Sequence, residues 1–182
     1  RRQVDGIFFD IYSMCGIAGI INREPYNGAN SKKILLQGLK RMTDSLAHRG
    51  PDGEGHWINE PGTVAIGHRR LSIIDLSNAG AQPMQRSLFS TIEGEEKRYT
   101  MTYNGEIYNY IELRDELYSH GYRFHSKTDT EVILAAFDFW EEECLQKLDG
   151  MFAFAIWDAK KKKLFAARDR FGEKPFYFYF DS

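Results

Sequence analysis

The sequence predicts a mixed α+β domain in which helices pack on mostly antiparallel sheets. The order of the hydrophobic patterns supports this prediction, because a strand is followed by a helix, several strands, two helices and two further strands. The composition agrees, since 42% of the 182 residues are hydrophobic and 14% are aromatic, which is enough for an extensive core. No repeat or low-complexity linker divides the chain, and one domain is expected.

The first half of the chain is predicted to contain a buried strand, a helix and a pair of strands. The apolar run over residues 14–22 is rich in small residues and suits a buried strand. Ser31 is predicted to cap a helix with apolar residues at helical spacing, and Gly50 and Pro51 end this pattern. Two extended segments then flank a turn at residues 60–62.

The next part of the chain is predicted to be a long loop, a strand and a helix. The loop covers the mostly polar residues 77–96, and the alternating segment after it is predicted to turn at Asn104 and Gly105, a dipeptide common in hairpin turns. A helix is predicted over residues 108–120, and a short strand over residues 122–126.

The last part of the chain is predicted to contain a helix and a hairpin. Thr128 is followed three residues later by Glu131, the capping-box spacing, and then by an apolar run. Two strands are predicted over residues 151–158 and 163–169. The run of four lysines where the strands join, residues 160–163, is predicted to form a solvated turn that protects a sheet edge. They lack the interleaved aromatic residues of a nucleic-acid surface.

Charge and residue spacing exclude several classes of function. Twenty-four Lys and Arg residues oppose twenty-six Asp and Glu residues, so the net charge of −2 favours neither nucleic acid nor an anionic membrane as a partner. No apolar stretch approaches the roughly 20 residues of a membrane helix. Two distant cysteines suggest a reduced compartment, and five scattered histidines do not form a metal-ligand pattern. A cytoplasmic protein without a structural metal is expected.

Cys15 is a candidate nucleophile because it directly follows a methionine that could start translation. If Cys15 becomes the first residue, its α-amino group can serve as the base for its own thiol. The ordinary pKa values of the two groups are close, and moving the proton from sulfur to nitrogen costs only about 1 kcal/mol. With Met14 attached, the nitrogen is an amide and cannot accept the proton. From this segment alone, a small buried core cysteine remains the alternative.

Three further segments offer groups that suit a carboxylate, an oxyanion or an ammonium group, each with a purely structural alternative. Arg69 and Arg70 point to opposite faces of a strand, so one of them can face a pocket and grip a carboxylate, although a surface charge is the alternative. Asn104 and Gly105 form a donor pair for an oxyanion, or else a plain turn. Asp129 at a helix start can bind a substrate ammonium or cap the helix, and Thr128 is available as the cap.

Eight segments, taken in order, resemble the glutaminase domain of the glutamine-hydrolysing asparagine synthetases. The resemblance extends from Met14 to Tyr179 and is more specific than any single motif. The segments are MCGIAGI, HRGPDG, HRRLSIID, GAQPM, YNGEIYN, TDTEVIL, GMFAFAIWD and RDRFGEKPFY.

The resemblance implies an N-terminal-nucleophile hydrolase fold, which is a four-layer α/β/β/α sandwich of mostly antiparallel sheets. It also implies a catalytic Cys15, an oxyanion site at Asn104 and Gly105, and Arg70 as the ligand of the glutamine carboxylate. The further substrate-binding positions implied by the resemblance are Leu71, Ile73, Ile74, Glu106 and Asp129.

The implied reaction is the hydrolysis of L-glutamine to glutamate and ammonia, with the ammonia used for ATP-dependent asparagine synthesis. This half-reaction is expected to need neither a metal nor an organic cofactor, whereas ATP and Mg²⁺ are expected for the C-terminal synthetase domain. L-glutamine and that synthetase domain are the expected partners, and a homodimer is compatible with the resemblance. Asparagine biosynthesis in the cytoplasm is the implied role.

The domain organisation raises two alternatives to this function. Residues 1–13 are expected to be a leader, an expression remnant or a propeptide, and residues 14–182 form the glutaminase domain. No SGGLDS-type loop occurs in this sequence, so the synthetase domain is absent from it. One alternative is a glutaminase that supplies ammonia to a sugar, a polysaccharide or an antibiotic precursor. The other is a catalytically silent interaction module, expected if the leader stays attached to Cys15.

Overall fold

The structure is a computed structural model that describes residues 14–25, 30–71, 80–86 and 97–180. The strands in these ranges are β1 (Gly16–Ile21), β2 (Gly53–Ile58), β3 (Val64–Arg70), β4 (Met84–Arg86), β5 (Tyr99–Ile107), β6 (Gly150–Asp158) and β7 (Lys163–Arg168). The α-helices are α1 (Ser31–Ser45), α2 (Tyr110–Ser119) and α3 (Asp129–Trp140), and a 3-10 helix over Glu141–Gln146 follows α3.

The strands form two antiparallel sheets. The first sheet has the strand order β1-β3-β2, with Gly16 opposite Arg69. The second sheet has the order β4-β5-β6-β7, and its long central pair places Asn104 opposite Ala153. This pairing confirms the predicted mixed architecture with antiparallel sheets.

The two sheets face each other and carry helices on their outer sides. Leu35 and Leu39 of α1 pack against Ala18 and Ala65 of the first sheet. The larger core cluster lies between the second sheet and helices α2 and α3, and it includes Tyr103, Phe154, Leu117 and Ile133. Val64, Ile66 and Trp157 pack together between the two sheets. The resulting α/β/β/α order confirms the predicted four-layer sandwich.

Helix α3 begins as the capping prediction requires, but its glutamate has a different role. The hydroxyl of Thr128 accepts a hydrogen bond from the backbone of Glu131 at 3.4 Å. The carboxylate of Glu131 does not complete a capping box, because it accepts hydrogen bonds from the backbone of His125 and Ser126. These bonds also explain why the predicted strand over residues 122–126 is wrong, since they use donors that a strand would need for pairing.

The predicted turn at Asn104 and Gly105 is also wrong. Strand β5 continues through both residues to Ile107 and pairs with β6 over its whole length. Asn-Gly favours a turn only when the next segment is the pairing partner, and here the partner lies more than forty residues away. Pairing between distant strands outweighs the local preference.

Two smaller predictions differ from the structure. Ser31 is the first residue of α1, and Asn30 holds the N-cap position without a side-chain hydrogen bond. Part of the predicted loop over residues 77–96 forms the short strand β4, because Met84–Arg86 pairs with Tyr99–Met101 of β5. The final hairpin is confirmed, and Lys161 and Lys163 in it pair with glutamates of the 3-10 helix.

Candidate active site

Cys15 lies at the edge of the first sheet, beside the end of β3. Because β1 and β3 are antiparallel and Gly16 lies opposite Arg69, the residue before β1 reaches the residues that follow Arg69. The backbone N–H of Leu71 donates to Cys15 Sγ at 3.3 Å, and the thiol lies 3.5 Å from the Leu71 carbonyl. The pairing of two strands thus places the thiol next to the predicted arginine clamp.

The surroundings of Cys15 act on its thiol in opposite directions. Burial raises the pKa of the thiol, and the negative charge of Asp129 adds to this effect. The hydrogen bond from Leu71 and the positive charge of Arg70 act against burial by favouring the thiolate. The balance leaves the pKa above its ordinary value, so the thiol needs a base to become a nucleophile.

Arg69 and Arg70 lie on opposite faces of β3, as strand alternation predicts. Arg69 faces α1 and β2, where it pairs with Asp44, pairs with Glu54 at 2.8 Å and donates to the Thr43 carbonyl at 3.0 Å. Arg70 is on the other face and is close enough to Cys15 for its charge to lower the pKa of the thiol. The alternation therefore gives Arg69 a structural role and leaves Arg70 on the side of the thiol.

Asn104 and Gly105 lie near the C-terminal end of β5. Asn104 is 3% exposed, and its side-chain oxygen has no hydrogen-bond partner among the described residues. A Cβ atom on Gly105 would lie 2.2 Å from the carbonyl oxygen of Met151, so β6 can approach β5 this closely only at a glycine. Glu106 follows with a half-buried side chain. These residues lie at the end of β5 that Asp129 also contacts.

Asp129 is the first residue of α3, and its carboxylate faces the end of β5. Because Thr128 caps the helix, Asp129 Oδ2 is left to accept hydrogen bonds from the Tyr103 hydroxyl at 2.7 Å and from the Ile107 backbone at 3.1 Å. Burial raises the pKa of this carboxyl despite both hydrogen bonds. A buried carboxylate with fixed donors on one side is suited to a substrate ammonium on the other.

The structure brings together several of the residues that the sequence predicted for the site. Cys15 contacts Leu71, and the charges of Arg70 and Asp129 both act on its thiol. Ile73 and Ile74 were predicted to line the pocket, and both lie outside the described residues.

Sequence reasoning missed two residues that hold the end of β5 in place. Tyr103 fixes Asp129 directly. Gln82 accepts a hydrogen bond from the Tyr103 backbone at 2.6 Å and donates to its carbonyl at 3.2 Å, so it extends the pairing of β4 and β5 with a side chain. Both residues belong to segments that carry the family resemblance, GAQPM and YNGEIYN, and this was the available signal.

Lys174 is a third residue that the sequence reasoning missed. Its side chain is buried at 7% exposure, and its Nζ contacts the sulfur of Met14, the residue just before Cys15. Asp169 holds the loop that presents this lysine, since its carboxylate accepts from the backbone of Phe152, Glu173 and Lys174. A buried lysine therefore contacts the side chain of the residue that precedes Cys15.

The described residues do not include a group of three or more His, Cys, Asp or Glu side chains that could hold a metal ion. Among the helices of the described ranges, none is long and apolar enough to cross a membrane.

Comparisons with known proteins agree with this geometry. Residues 14–182 match the family model described as the glutamine amidotransferase domain. The chain is 44% identical over 165 residues to asparagine synthetase [glutamine-hydrolyzing] 1 of Bacillus subtilis, covering 91% of this chain and 24% of the relative. It is 38% identical over 176 residues to a putative asparagine synthetase [glutamine-hydrolyzing] of Methanocaldococcus jannaschii, covering 92% and 32%.

A solved structure supports the fold. Glutamine phosphoribosylpyrophosphate amidotransferase from Bacillus subtilis matches with a TM-score of 0.62 at 22% identity, covering 84% of this chain and 37% of that one. The two antiparallel sheets between helical layers thus form an N-terminal-nucleophile hydrolase fold. The chain spans about a quarter of the length of the Bacillus relative. From the matched family model and these relatives, we conclude that the chain belongs to the glutamine amidotransferase domain family.

Proposed function

We propose that this domain hydrolyses L-glutamine to glutamate and ammonia, with Cys15 as the nucleophile once the residues before it are removed. The observation that supports this most directly is the setting of the Cys15 thiol, which accepts a hydrogen bond from the Leu71 backbone and is close enough to Arg70 and Asp129 for both charges to act on its pKa. A free amino acid carries the two charges that this arginine and this carboxylate complement.

In the proposed first half-reaction, the thiol proton moves to the α-amino group of Cys15 and the sulfur attacks the side-chain amide carbon of glutamine. The side-chain amide of Asn104 and the backbone N–H of Gly105 stabilise the oxyanion that forms on the amide oxygen. The carbon–nitrogen bond then breaks, and the departing nitrogen takes the proton from the α-ammonium group and leaves as ammonia. A γ-glutamyl thioester on Cys15 remains.

In the second half-reaction, water attacks the thioester while the α-amino group accepts a proton from it. The carbon–sulfur bond breaks, the thiolate recovers the proton, and glutamate leaves. Arg70 binds the α-carboxylate, Asp129 binds the α-ammonium group, and the backbone of Leu71 and Glu106 completes the pocket. Both half-reactions use only protein groups and water.

We further propose that the ammonia serves ATP-dependent asparagine synthesis, as the names of the relatives suggest. The proposed hydrolysis of glutamine uses only protein groups and water, so we assign neither ATP nor Mg²⁺ to it. Both belong to the proposed synthetase reaction, which follows ammonia release. If the ammonia is transferred to a sugar or an antibiotic precursor and not to aspartate, the alternative named in the sequence analysis is supported.

The direct test compares ammonia release by three purified chains. The first begins at Cys15, the second retains residues 1–14, and the third begins with the Cys15→Ala substitution. We expect glutamine-dependent ammonia from the first chain, a loss of at least a hundredfold in the second, and none in the third. A covalent γ-glutamyl adduct should appear by mass spectrometry on the first chain only.

The same chains distinguish the enzyme from a silent interaction module. N-terminal sequencing and intact mass establish which residue begins each chain. If the chain that begins at Cys15 is folded and releases no ammonia from glutamine, the proposed function is wrong.

A further inference from the structure

Two hydrogen bonds of the Thr102 side chain join the two sheets close to the candidate site. His68 on β3 is 1% exposed, and its Nδ1 lies 3.2 Å from Oγ1 of Thr102 on β5. Thr102 is 2% exposed, and its Oγ1 also lies 3.2 Å from the carbonyl oxygen of Gly67. The contact therefore links two strands that belong to different layers of the sandwich.

The chemistry of the three groups fixes the direction of these bonds. A carbonyl oxygen only accepts, so the Thr102 hydroxyl donates to Gly67 and its oxygen accepts from the Nδ1–H of His68. Burial, with the charge of Arg70, lowers the pKa of His68 to about 3, so the ring is neutral at the pH of most enzyme reactions. The link is thus a permanent neutral hydrogen bond and does not act as an acid or a base.

On each of the two strands, the linked residue lies two positions before a residue of the proposed site. Arg70 follows His68 by two residues and lies on the same face of β3, and Asn104 follows Thr102 by two residues and lies on the same face of β5. Two strand residues span roughly 7 Å. The hydrogen bond is therefore close enough to set the spacing of the two strand ends, and it leaves the reacting atoms free.

We propose that His68 and Thr102 are positioning residues that fix the distance between the substrate-binding Arg70 and the oxyanion donor Asn104. This inference rests on the proposed glutaminase function. Each of the two sheets supplies one side of the site, so the thioester-forming geometry depends on how the sheets are held together. A displacement of about 1 Å can reduce a reaction rate by on the order of a hundredfold.

The position of this hydrogen bond also predicts which kinetic constant changes when the bond is lost. The long side chain of Arg70 can follow a small displacement of β3 and keep its hold on the carboxylate of glutamine. The amide carbon cannot keep its alignment with both the sulfur of Cys15 and the donors on β5. Loss of the link should therefore lower kcat more than it raises KM.

The test uses chains that begin at Cys15, with kcat and KM measured from ammonia release. We expect His68→Leu and Thr102→Val each to lower kcat at least tenfold while KM changes less than threefold. The double variant should lose no more than Thr102→Val alone, because Thr102→Val already removes both the bond from His68 and the bond to Gly67. His68→Asn, whose side-chain amide can replace the Nδ1–H donor, should recover most of kcat.

Thr100→Val is the matched control. Thr100 is buried on the same face of β5, two residues farther from the site, and its hydroxyl accepts from Gln85 at 3.5 Å. It should keep the wild-type kcat. Circular dichroism and the rate of Cys15 alkylation by iodoacetamide establish that each variant is folded with an accessible thiol. Thr102→Val keeps the test decisive if His68→Leu does not fold.

If folded Thr102→Val keeps kcat within twofold of the wild-type value, the positioning role is wrong. It is also wrong if the double variant loses kcat by the product of the two single losses. Either result leaves the glutaminase function standing, because the wild-type chain is active in the same assay. A wild-type chain that begins at Cys15 and releases no ammonia overturns the proposed function and this inference together.

Discussion

The hydroxyl of Tyr103 donates a hydrogen bond to Asp129 Oδ2 at 2.7 Å, and this bond ties the start of α3 to the second sheet. The backbone N–H of Ile107 donates to the same oxygen at 3.1 Å. The carboxylate proposed to bind the substrate ammonium is thus held from two points of one strand, and its position depends on the path of β5.

Tyr103→Phe should weaken glutamine binding. Removing the hydroxyl leaves Asp129 with one fewer donor, and a hydrogen bond to a charged group contributes about 1.5 to 3 kcal/mol. We expect KM for glutamine to rise about tenfold with a smaller change in kcat, measured by ammonia release. Tyr99→Phe is the control, because the Tyr99 hydroxyl donates to Asp138 from the same face of β5. Equal KM values in the two variants would contradict the prediction.

Glutamine binding should depend on pH through Asp129. Burial raises the pKa of this carboxyl above the ordinary value of 3.8, and only the ionised form attracts an ammonium group. Binding should therefore be complete above the raised pKa and be lost as the pH falls through it. We expect the transition in 1/KM at a higher pH than an ordinary aspartate gives. Asp129→Asn should show a high KM without this transition.

Asn104→Ala should remove one oxyanion donor. The expected loss of transition-state stabilisation is about 3 to 4 kcal/mol, or on the order of a hundredfold or more in kcat. The unfolding temperature should change little, because the side-chain oxygen of Asn104 has no partner among the described residues. Kinetics and thermal unfolding measure the two quantities. A loss of kcat below threefold would exclude Asn104 as a donor.

Lys174→Met should change the pH dependence of the reaction. In a chain that begins at Cys15, the charge of Lys174 would lie near the α-amino group, since its Nζ contacts Met14. A nearby cation disfavours protonation and lowers the pKa of the amine. Burial lowers the pKa of Lys174, and Arg49 adds to this, whereas Glu173, Asp169 and Glu106 oppose it.

The amine must be neutral to accept the thiol proton, so kcat/KM rises with pH through the pKa of the amine. Removing the cation raises that pKa, and the acid limb of the profile should move to higher pH in Lys174→Met. Lys163→Met is the control, since this exposed lysine pairs with Glu142 on the surface hairpin. An unmoved acid limb would contradict the role of Lys174.

Glu131→Gln should destabilise the fold. The buried carboxylate accepts from the backbone and hydroxyl of Ser126, each at 2.7 Å, and pairs with Arg86 at 3.2 Å. A hydrogen bond to a charged group contributes about 1.5 to 3 kcal/mol, and the neutral amide cannot replace these bonds fully, so urea unfolding should show a loss in this range. The exposed Glu112→Gln should show almost none.

The destabilisation caused by Glu131→Gln should itself depend on pH. Burial favours a higher pKa for this carboxyl, but the hydrogen bonds from Ser126 and His125 outweigh burial and hold the pKa below its usual 4.5. The ionised carboxylate therefore stabilises the fold fully above pH 4.5, and this contribution is lost as the pH falls through the lowered pKa. A pH-independent difference between wild type and variant would contradict this account.

The sequence by itself determined the elements whose patterns are local. The apolar period of α1, the cap at Thr128 and the lysine hairpin are each encoded within a few residues, and the structure contains all three. Strand alternation also separated Arg69 from Arg70 before any contact was known. The ordered motifs indicated the family, because together they extend over almost the whole domain.

Only the tertiary structure decided how these elements meet. The dipeptide Asn104–Gly105 by itself favours a turn. Pairing with a strand more than forty residues away nevertheless keeps both residues in β5. The same applies to the contact of Tyr103 with Asp129 and to that of His68 with Thr102. The residues of each pair lie more than twenty positions apart, and no periodicity connects them. Long-range pairing and burial selected these contacts, because the free energy they provide appears only when the layers are assembled.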